Sequence, residues 1–258
     1  MNDATSSEST SEPLTLSVRG LSRDYEGTRA LEPLDLDLAP GRILGLVGPN
    51  GAGKTTALRM IAGILPTTAG SVAILGHDVE AEPVAAKRHL GWVPDDPTPF
   101  DSLTVWEHLE FTARLFEVDA WPSRAEVLLR LFELVEKRDA LGGELSRGMR
   151  QKLSFACAWL PEPALLLLDE PLSGLDPRGI RAAREAIRGW AQRGTSVILS
   201  SHLLDLVEVL ADEILVLDRG RKVFHGTLAE ARALRSGGLE EIFFAITGDV
   251  EATNEESA

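Results

Sequence analysis

The sequence predicts an α/β fold in which a mostly parallel β-sheet carries a small antiparallel β-subdomain and an inserted α-helical subdomain. Three short, nearly continuous apolar runs, at residues 43–47, 165–168 and 197–199, are typical of strands buried on both faces of a parallel sheet. Helical patterns separate these runs. Because strands and helices alternate in this way, the core is predicted to be α/β.

Alternating patterns predict the antiparallel parts. Apolar and polar residues alternate over residues 14–18 and again over residues 34–38, with turn-like residues at 26–28 between them. These two half-buried strands predict a small antiparallel sheet. Near the other end, residues 213–217 and 222–225 are joined by a turn-like stretch and predict a closing hairpin.

The stretch from about residue 98 to residue 160 has a different pattern. Apolar residues recur at helical spacing over residues 127–135 and 153–160, with little strand signal between them. We interpret this stretch as a helical subdomain inserted into the order of the sheet. Cys157, the single cysteine, lies on the apolar side of the second pattern and is predicted to belong to the core. One more amphipathic helix is predicted over residues 180–190.

Composition limits the classes of partner. The chain has 40 acidic and 26 basic residues among 258, with a net charge of -14. Non-specific binding to a phosphate backbone needs clustered Lys and Arg, so the charge argues against nucleic acid as a partner. No apolar run approaches the roughly 20 residues needed to cross a bilayer, and no signal peptide is recognisable. We therefore expect a cytoplasmic protein.

The composition also suggests the domain boundaries. Residues 1–12 are polar and are predicted to be a disordered tail. Residues 13–236 are predicted to form the folded domain. Residues 237–258 are predicted to be a C-terminal extension that ends in an acidic, disordered tail at 249–258.

Residues 48–55, Gly-Pro-Asn-Gly-Ala-Gly-Lys-Thr, carry the strongest chemical signal. They fit the pattern GxxxxGK[ST], directly after an apolar strand and before a helix, and so predict the P-loop of a nucleoside triphosphatase core. Glycines let backbone N–H groups face a phosphate, and the helix N-terminus adds a positive dipole end. Lys54 can reach the β and γ oxygens, and Thr55 can ligate Mg²⁺. A glycine-rich turn matching by chance is the alternative. The predicted phosphate-binding residues are Gly48, Pro49, Asn50, Gly51, Ala52, Gly53, Lys54, Thr55 and Thr56.

An acidic pair, Asp169 and Glu170, follows the apolar run at 165–168. In open α/β sheets, ligands bind outside the carboxyl ends of the strands, so both carboxylates are expected beside the phosphate loop. Asp169 suits holding Mg²⁺ through water. Glu170 can face the water that attacks the γ-phosphate and act as its base or orient it.

Three further motifs extend the pattern. Residues 145–149 read Leu-Ser-Arg-Gly-Met before a helix, residues 173–176 read Ser-Gly-Leu-Asp, and residues 200–202 read Ser-Ser-His after a buried strand. With the phosphate loop and the acidic pair, in this order and spacing, they resemble the ATP-binding subunit of ATP-binding cassette (ABC) transporters over about residues 14–226. The resemblance implies an ABC ATPase domain at residues 13–236 that binds and hydrolyses ATP with Mg²⁺.

The resemblance implies roles at matching positions. Tyr25 matches the aromatic residue that stacks on adenine. Ser146 and Gly148 match the signature motif, which completes the site of a second, facing subunit at its γ-phosphate. Asp176 matches the loop that touches this partner. His202 matches the switch histidine that contacts the γ-phosphate and holds Glu170 and the water in place. Structural roles, as a packed Tyr, a helix cap or a surface His, are the alternatives.

Two positions depart from the commonest family pattern. Asp95 follows Gly-Trp-Val-Pro at the position that is normally glutamine. A carboxylate there could coordinate Mg²⁺ or hydrogen-bond water, but it brings extra negative charge beside the γ-phosphate. The signature motif contains Arg147 in place of a glycine. The Arg147 guanidinium either lies near the facing phosphates or projects to solvent.

Both departures resemble the ABC-2 type export group, as do residues 103–109 and 239–243. The resemblance implies that two copies close on ATP and drive a separate integral membrane permease, which holds them on the inner face of the membrane. Contact with the permease is expected around Asp95 and the helical subdomain. A regulatory cassette at the membrane, or a scaffold on nucleic acid or ribosomes, is the alternative. Aromatic residues that supply apolar surface there, or pack in the core, are Phe100, Trp106, Phe111, Phe116 and Trp121.

Overall fold

The computed structural model describes residues 14–234 and 238–247. The tails predicted at residues 1–12 and 249–258 lie outside these ranges. The strands, in chain order, are β1 (Leu16–Tyr25), β2 (Thr28–Leu38), β3 (Ile43–Val47), β4 (Ala69–Ile74), β5 (His77–Asp78), β6 (Leu90–Val93), β7 (Leu165–Asp169), β8 (Ser196–Ser200), β9 (Glu213–Asp218) and β10 (Arg221–Thr227).

The larger sheet has the strand order β10-β9-β3-β8-β7-β6. β3 pairs in parallel with β8 and β9, β7 pairs in parallel with β6 and β8, and β10 joins β9 as an antiparallel hairpin. Every residue of β3, β7 and β8 is buried. The prediction of a mostly parallel α/β core is confirmed.

The smaller sheet is antiparallel and has the order β2-β1-β4-β5. The sequence predicted β1 and β2, but β4 and β6 were missed. β4 begins with three exposed residues that include Gly70, so it carries little apolar signal. β6 has only four residues, too few for a periodic pattern.

The helices are α1 (Lys54–Ile61), α2 (Pro83–Lys87), α3 (Val105–Leu115), α4 (Trp121–Leu131), α5 (Arg147–Trp159), α6 (Pro177–Ala191), α7 (Leu204–Leu210), α8 (Leu228–Leu234) and α9 (Leu239–Thr247), with 3₁₀ turns at Val135–Lys137 and Gly142–Glu144. The helices α3, α4 and α5 occupy the stretch predicted to be helical. The pattern over residues 127–135 is not one helix face, however. α4 ends at Leu131, Glu133 has a left-handed φ of 56°, and Val127 and Val135 are exposed.

The core lies on both faces of the larger sheet. Leu166 and Leu168 of β7 point into the cluster shared with the helical subdomain, whereas Leu165 and Leu167 point into the cluster beneath the antiparallel sheet and α1. A third cluster joins α7, α8 and α9 to the β9 side of the sheet. Cys157 is half-buried against the first cluster, and burial raises the pKa of its thiol to about 11. Among the described residues, no helix is long and apolar enough to span a membrane.

The order of the strands places the predicted chemistry in one region. β3, β8 and β7 are adjacent and parallel, so their carboxyl ends meet at the same edge of the sheet. The segments that follow these ends begin with Gly48, Ser201 and Glu170. The sheet therefore brings together three motifs that are far apart in the sequence.

Candidate active site

The phosphate loop turns sharply between β3 and α1. Gly48 lies so close to β9 that a Cβ there would stand 2.4 Å from the carbonyl oxygen of Leu217. Gly53, the residue before α1, has a φ of 101°, which glycine adopts without strain. α1 then begins at Lys54 with no side-chain cap on its N-terminal N–H groups. The loop and the helix N-terminus thus offer backbone donors to an anion.

The Lys54 side chain is buried inside this loop. Its Nζ donates hydrogen bonds to the carbonyl oxygens of Gly48, at 2.6 Å, and Pro49, at 3.2 Å. Burial lowers the pKa of Lys54 below its ordinary value, while the carboxylates of Glu170 and Asp169 act in the opposite direction. The loop therefore folds around the cation that the sequence predicts to bind phosphate oxygens.

Asp169 is the last residue of β7 and is only 2% exposed. Its Oδ1 accepts hydrogen bonds from the hydroxyl of Ser200, at 2.6 Å, and from the hydroxyl of Thr55, at 3.2 Å. The strand register explains the first bond, because Asp169 and Ser200 are paired across β7 and β8. The carboxylate is thus held beside the hydroxyl of Thr55, in the first turn of α1.

Glu170 follows at a turn with a φ of 45°, an uncommon backbone conformation for a residue other than glycine. The hydroxyl of Ser200 accepts a hydrogen bond from its backbone N–H at 3.1 Å. Its Oε2 lies 2.8 Å from Nδ1 of His202. An ionised carboxylate only accepts hydrogen bonds, so this contact requires a proton on Nδ1. Glu170 is mostly buried, with 16% of its side chain exposed, whereas His202 is 59% exposed.

An open cleft of about 550 Å³ lies over the phosphate loop. The cleft is lined by Thr28, Arg29, Ala30, Asn50, Gly51, Ala52, Gly53, Lys54, Thr55, Thr56, Asp95, Glu170, Arg219 and Gly220. The predicted phosphate-binding residues from Asn50 to Thr56 therefore share one cleft with two of the predicted carboxylates. The β1–β2 turn reaches the cleft through Thr28.

Tyr25 lies at the end of β1, beside the turn that reaches the cleft. Tyr25 is 43% exposed and is not part of the cleft lining. The guanidinium of Arg23 stands over the ring, with Cζ 4.6 Å from the centroid, and Arg23 is itself fixed by a hydrogen bond to the carbonyl oxygen of Pro66 at 2.9 Å. The aromatic ring is therefore oriented by a cation–π contact.

The residues of the signature motif lie outside the cleft lining. Ser146 is exposed and caps α5 by accepting a hydrogen bond from the N–H of Met149 at 3.4 Å. A Cβ on Gly148 would stand 2.8 Å from the carbonyl oxygen of Gly174. Asp176 caps α6 through the N–H of Gly179 at 3.0 Å. Within this chain, Ser146 and Asp176 cap helices, and Gly148 allows the close approach of Gly174.

Asp95 lines the cleft, and its Oδ1 lies 3.5 Å from Nη2 of Arg147. The same nitrogen donates a hydrogen bond to the hydroxyl of Ser173 at 3.1 Å. Arg147 is therefore paired within its own chain. Its side chain is 56% exposed, so the pairing is compatible with either orientation that the sequence left open.

Comparison with known proteins identifies the family. The family model described as ABC transporter matches residues 31–173. The chain belongs to the ABC transporter family. The ABC-type transporter ATP-binding protein EcsA of Bacillus subtilis is 33% identical over 90% of this chain and 96% of its own length. The Nod factor export ATP-binding protein I of Burkholderia thailandensis is 39% identical over 78% of this chain and 67% of its own length.

The fold comparison agrees with the sequence comparison. A solved ATP binding subunit of an ABC transporter superposes with a TM-score of 0.87 and 32% identity, covering 90% of this chain and 99% of that one. The chain is thus an ATP-binding subunit of an ABC transporter, and its activity is the hydrolysis of ATP that drives transport. The predicted family, fold class and enzyme activity are confirmed.

Sequence reasoning missed several residues of this ABC ATPase site. Ser200 was part of a quoted motif without a role, although it bonds to both acidic residues. Its position at the end of a buried strand next to Asp169 could have indicated that role. Arg29, Arg219 and Gly220 also line the cleft. Arg29 lies at the start of β2, and Arg219 and Gly220 form the turn between β9 and β10. None of them carries a sequence signal for ligand contact, so only the tertiary structure brings them to the site.

Proposed function

We propose that this ABC ATPase works as a pair of identical subunits that close on ATP and drive export through a separate membrane permease. The observation that carries the proposal is the arrangement at the sheet edge, where Lys54, Asp169 and Glu170 surround the end of the phosphate loop and Glu170 contacts His202. The boundaries proposed for the ATPase domain are residues 13–236, with the helical subdomain at about 98–160 and an extension at 237–258.

In this proposal, Glu170 accepts the proton of the attacking water. Its carboxylate is mostly shielded from solvent, and the turn at Glu170 is held by Ser200, so the base is positioned before ATP binds. His202 holds the carboxylate through Nδ1, which leaves Nε2 to contact the γ-phosphate. Lys54 and the backbone N–H groups of the loop stabilise the charge on the β- and γ-phosphate oxygens.

The oxygen atoms of Thr55 and Asp169 fit Mg²⁺. Both are hard ligands, they lie 3.2 Å apart, and Ser200 orients the carboxylate from the other side. When bound, Mg²⁺ neutralises charge on the phosphates. Asp95 lines the same cleft and adds a third candidate ligand. Among the described residues no cluster of three or more His, Cys, Asp or Glu is arranged to hold a metal.

The residues of the signature motif, which lie outside the cleft of their own chain, would complete the ATP site of the second subunit. Ser146 is exposed at the N-terminus of α5, a position from which a hydroxyl and helix N–H groups can bind a phosphate of a facing copy. Gly148 keeps this terminus close to the loop of Asp176, which would touch the partner. Closure would then depend on ATP, because the γ-phosphate supplies the contact between the subunits.

ABC ATP-binding subunits work with membrane permeases, and we place this contact on the groove that residues 94–100 form with α3 and α5. Phe100 and Phe111 are exposed there and meet edge to face with centroids 5.8 Å apart. Trp106 and Trp121 instead pack on each other, half-buried, against the core. The permease would hold the subunit on the inner face of the membrane. The export direction is supported by the match to the Nod factor export protein.

The Glu170→Gln variant tests the proposed base. We expect hydrolysis to fall by about 100-fold or more, because the variant cannot accept a proton, while ATP binding persists and an ATP-bound dimer accumulates. Phosphate release measures the first effect, and size-exclusion chromatography with light scattering measures the second. The matched control is Glu213→Gln, which alters another Glu–His contact, 3.5 Å from His225 and outside the cleft.

The possible outcomes separate the parts of the proposal. Unchanged hydrolysis in Glu170→Gln would remove Glu170 from its role. Loss of hydrolysis without an ATP-dependent dimer would leave the base in place and contradict the paired subunits. Isolation of the chain from its native membranes should recover a polytopic protein. Recovery of ribosomes or DNA would support a scaffold function instead.

A further inference from the structure

The two departures from the common family pattern meet in space. Asp95 follows β6 and Arg147 begins α5, so they belong to different parts of the fold, yet their charged atoms lie 3.5 Å apart. They carry opposite charges, and each replaces a neutral residue of the commonest pattern. The structure thus places the additional carboxylate of Asp95 beside the additional guanidinium of Arg147.

The helix α5 contacts two neighbouring residues of one segment, Pro94 and Asp95. One turn after Arg147, the Nε2 of Gln151 donates to the carbonyl oxygen of Pro94 at 3.4 Å. The side chain of Gln151 is fully buried. This second contact fixes the backbone next to Asp95, so the carboxylate is presented to the guanidinium.

The Arg147 side chain is also held on its other side. Its stem packs on Gly174, where a Cβ would stand 3.3 Å from Cδ. Its Nη2 donates to Ser173 at 3.1 Å, and the N–H of Ser173 donates in turn to the carbonyl oxygen of Glu170 at 3.1 Å. Arg147 therefore links the rim at Asp95 to the loop of the proposed base.

The charges in the cleft suggest what the contact between Arg147 and Asp95 does. Asp95 and Glu170 both line the cleft that receives the triphosphate, and Asp169 lies directly behind it. A carboxylate near phosphates raises the free energy of the bound state through like-charge repulsion. Lys54 faces Asp169 and Glu170, whereas Asp95 has its cation in Arg147.

We propose that Arg147 is a positioning residue for nucleotide binding within its own subunit, where it balances the charge of Asp95 and keeps that carboxylate from repelling the triphosphate. The proposal rests on ATP binding in the cleft over the phosphate loop. Arg147 and Asp95 are 56% and 52% exposed, so the effect is modest. It differs from a contact between Arg147 and the phosphates of a facing subunit, because it requires Asp95.

The test measures the affinity for the non-hydrolysable analogue AMP-PNP by calorimetry, with and without Mg²⁺, at low ionic strength. Without Mg²⁺, where Asp95 cannot act as a metal ligand, we expect Arg147→Gln to weaken binding by roughly three- to fivefold, and the double variant Asp95→Asn/Arg147→Gln to bind within about twofold of the parent. Arg147→Lys, which keeps the charge, should lie between. In about 0.5 M salt the deficit of Arg147→Gln should shrink. The matched control is Arg181→Gln, since Arg181 forms an exposed ion pair with Glu185 outside the cleft.

Each outcome of these measurements either supports or contradicts the proposed role of Arg147. Recovery in the double variant supports the proposal, because the loss of a direct contact between Arg147 and a phosphate would persist when Asp95 is neutral. An unchanged affinity in Arg147→Gln overturns it, and so does a double variant that binds as weakly as Arg147→Gln. A parent chain that fails to bind AMP-PNP would instead contradict the site over the phosphate loop. Thermal unfolding of each variant shows whether the fold is intact.

Discussion

The carboxyl edge of the parallel sheet and the N-terminus of α5 both carry family motifs, but they are built differently. At the sheet edge, buried Lys54 and Asp169 are held by hydrogen bonds of 2.6 Å to groups of their own chain. At α5, Ser146 is exposed, and its one cap bond is long, at 3.4 Å. The first region is a preorganised site. In the second, Ser146 makes little contact within its own chain, which is expected if it acts on another subunit.

The difference has a physical cause. Three adjacent parallel strands end at the sheet edge, so the core on both faces sets the positions of the side chains that follow. The N-terminus of α5 lies at the surface, where exposed contacts of Arg147 with Asp95 and Ser173 hold it. Preorganisation lowers the free energy of activation when charge develops at fixed donors. Variants at the sheet edge should therefore have larger effects on hydrolysis than variants at α5.

The largest effect is expected for Lys54→Ala. The ammonium is buried and would make charge-assisted hydrogen bonds to phosphate oxygens, so its loss should cost about 3 kcal/mol, or more than about 100-fold in kcat/KM. Steady-state phosphate release measures this. Lys87→Ala is the control, because Lys87 also donates to a backbone carbonyl, that of Gly63 at 3.0 Å, but lies outside the cleft. Equal losses in both variants would refute a special role for the loop.

A smaller loss is expected for Ser200→Ala. This change removes the hydroxyl that bonds to Asp169 and to the N–H of Glu170, which should cost about 2 kcal/mol and lower kcat roughly thirtyfold. Single-turnover kinetics would locate the loss in the chemical step. The neighbouring Ser201→Ala removes a buried hydroxyl that accepts a hydrogen bond from the N–H of Leu203, at 3.0 Å, and contacts neither acidic residue among those described. If it lowered kcat as much, the loss would be one of folding rather than of positioning.

The smallest effect is expected for Ser146→Ala. Because the cap bond is long and exposed, we expect a loss of stability below about 1 kcal/mol, measured by urea unfolding. Hydrolysis should fall about fivefold at protein concentrations where the dimer forms. Thr104→Ala removes a half-buried cap of α3 that belongs to a capping box, so it should destabilise the fold more and leave hydrolysis nearly unchanged. The reverse pattern would mean that Ser146 is a structural cap only.

Much of this architecture could be predicted because it depends on local pattern. Buried strands such as β3 and β7 appear as continuous apolar runs, and the phosphate loop appears as spaced glycines before Lys54. The strands β4 and β6 were missed because their few residues carry no periodic signal. The exposure of Val135 was also not predictable, since Val135 lies beyond the left-handed turn at Glu133, where the helical pattern has ended.

The sequence by itself determined the family, the fold class and the positions of the motifs, because each motif needs particular residue types at fixed spacing along the chain. Only the tertiary structure decided which of those residues meet. It placed Ser200 against Asp169 through strand register, and it brought Arg147 to Asp95 across two parts of the fold. Such contacts join residues far apart in sequence, and their distances depend on how helices pack on the sheet, which no local pattern records.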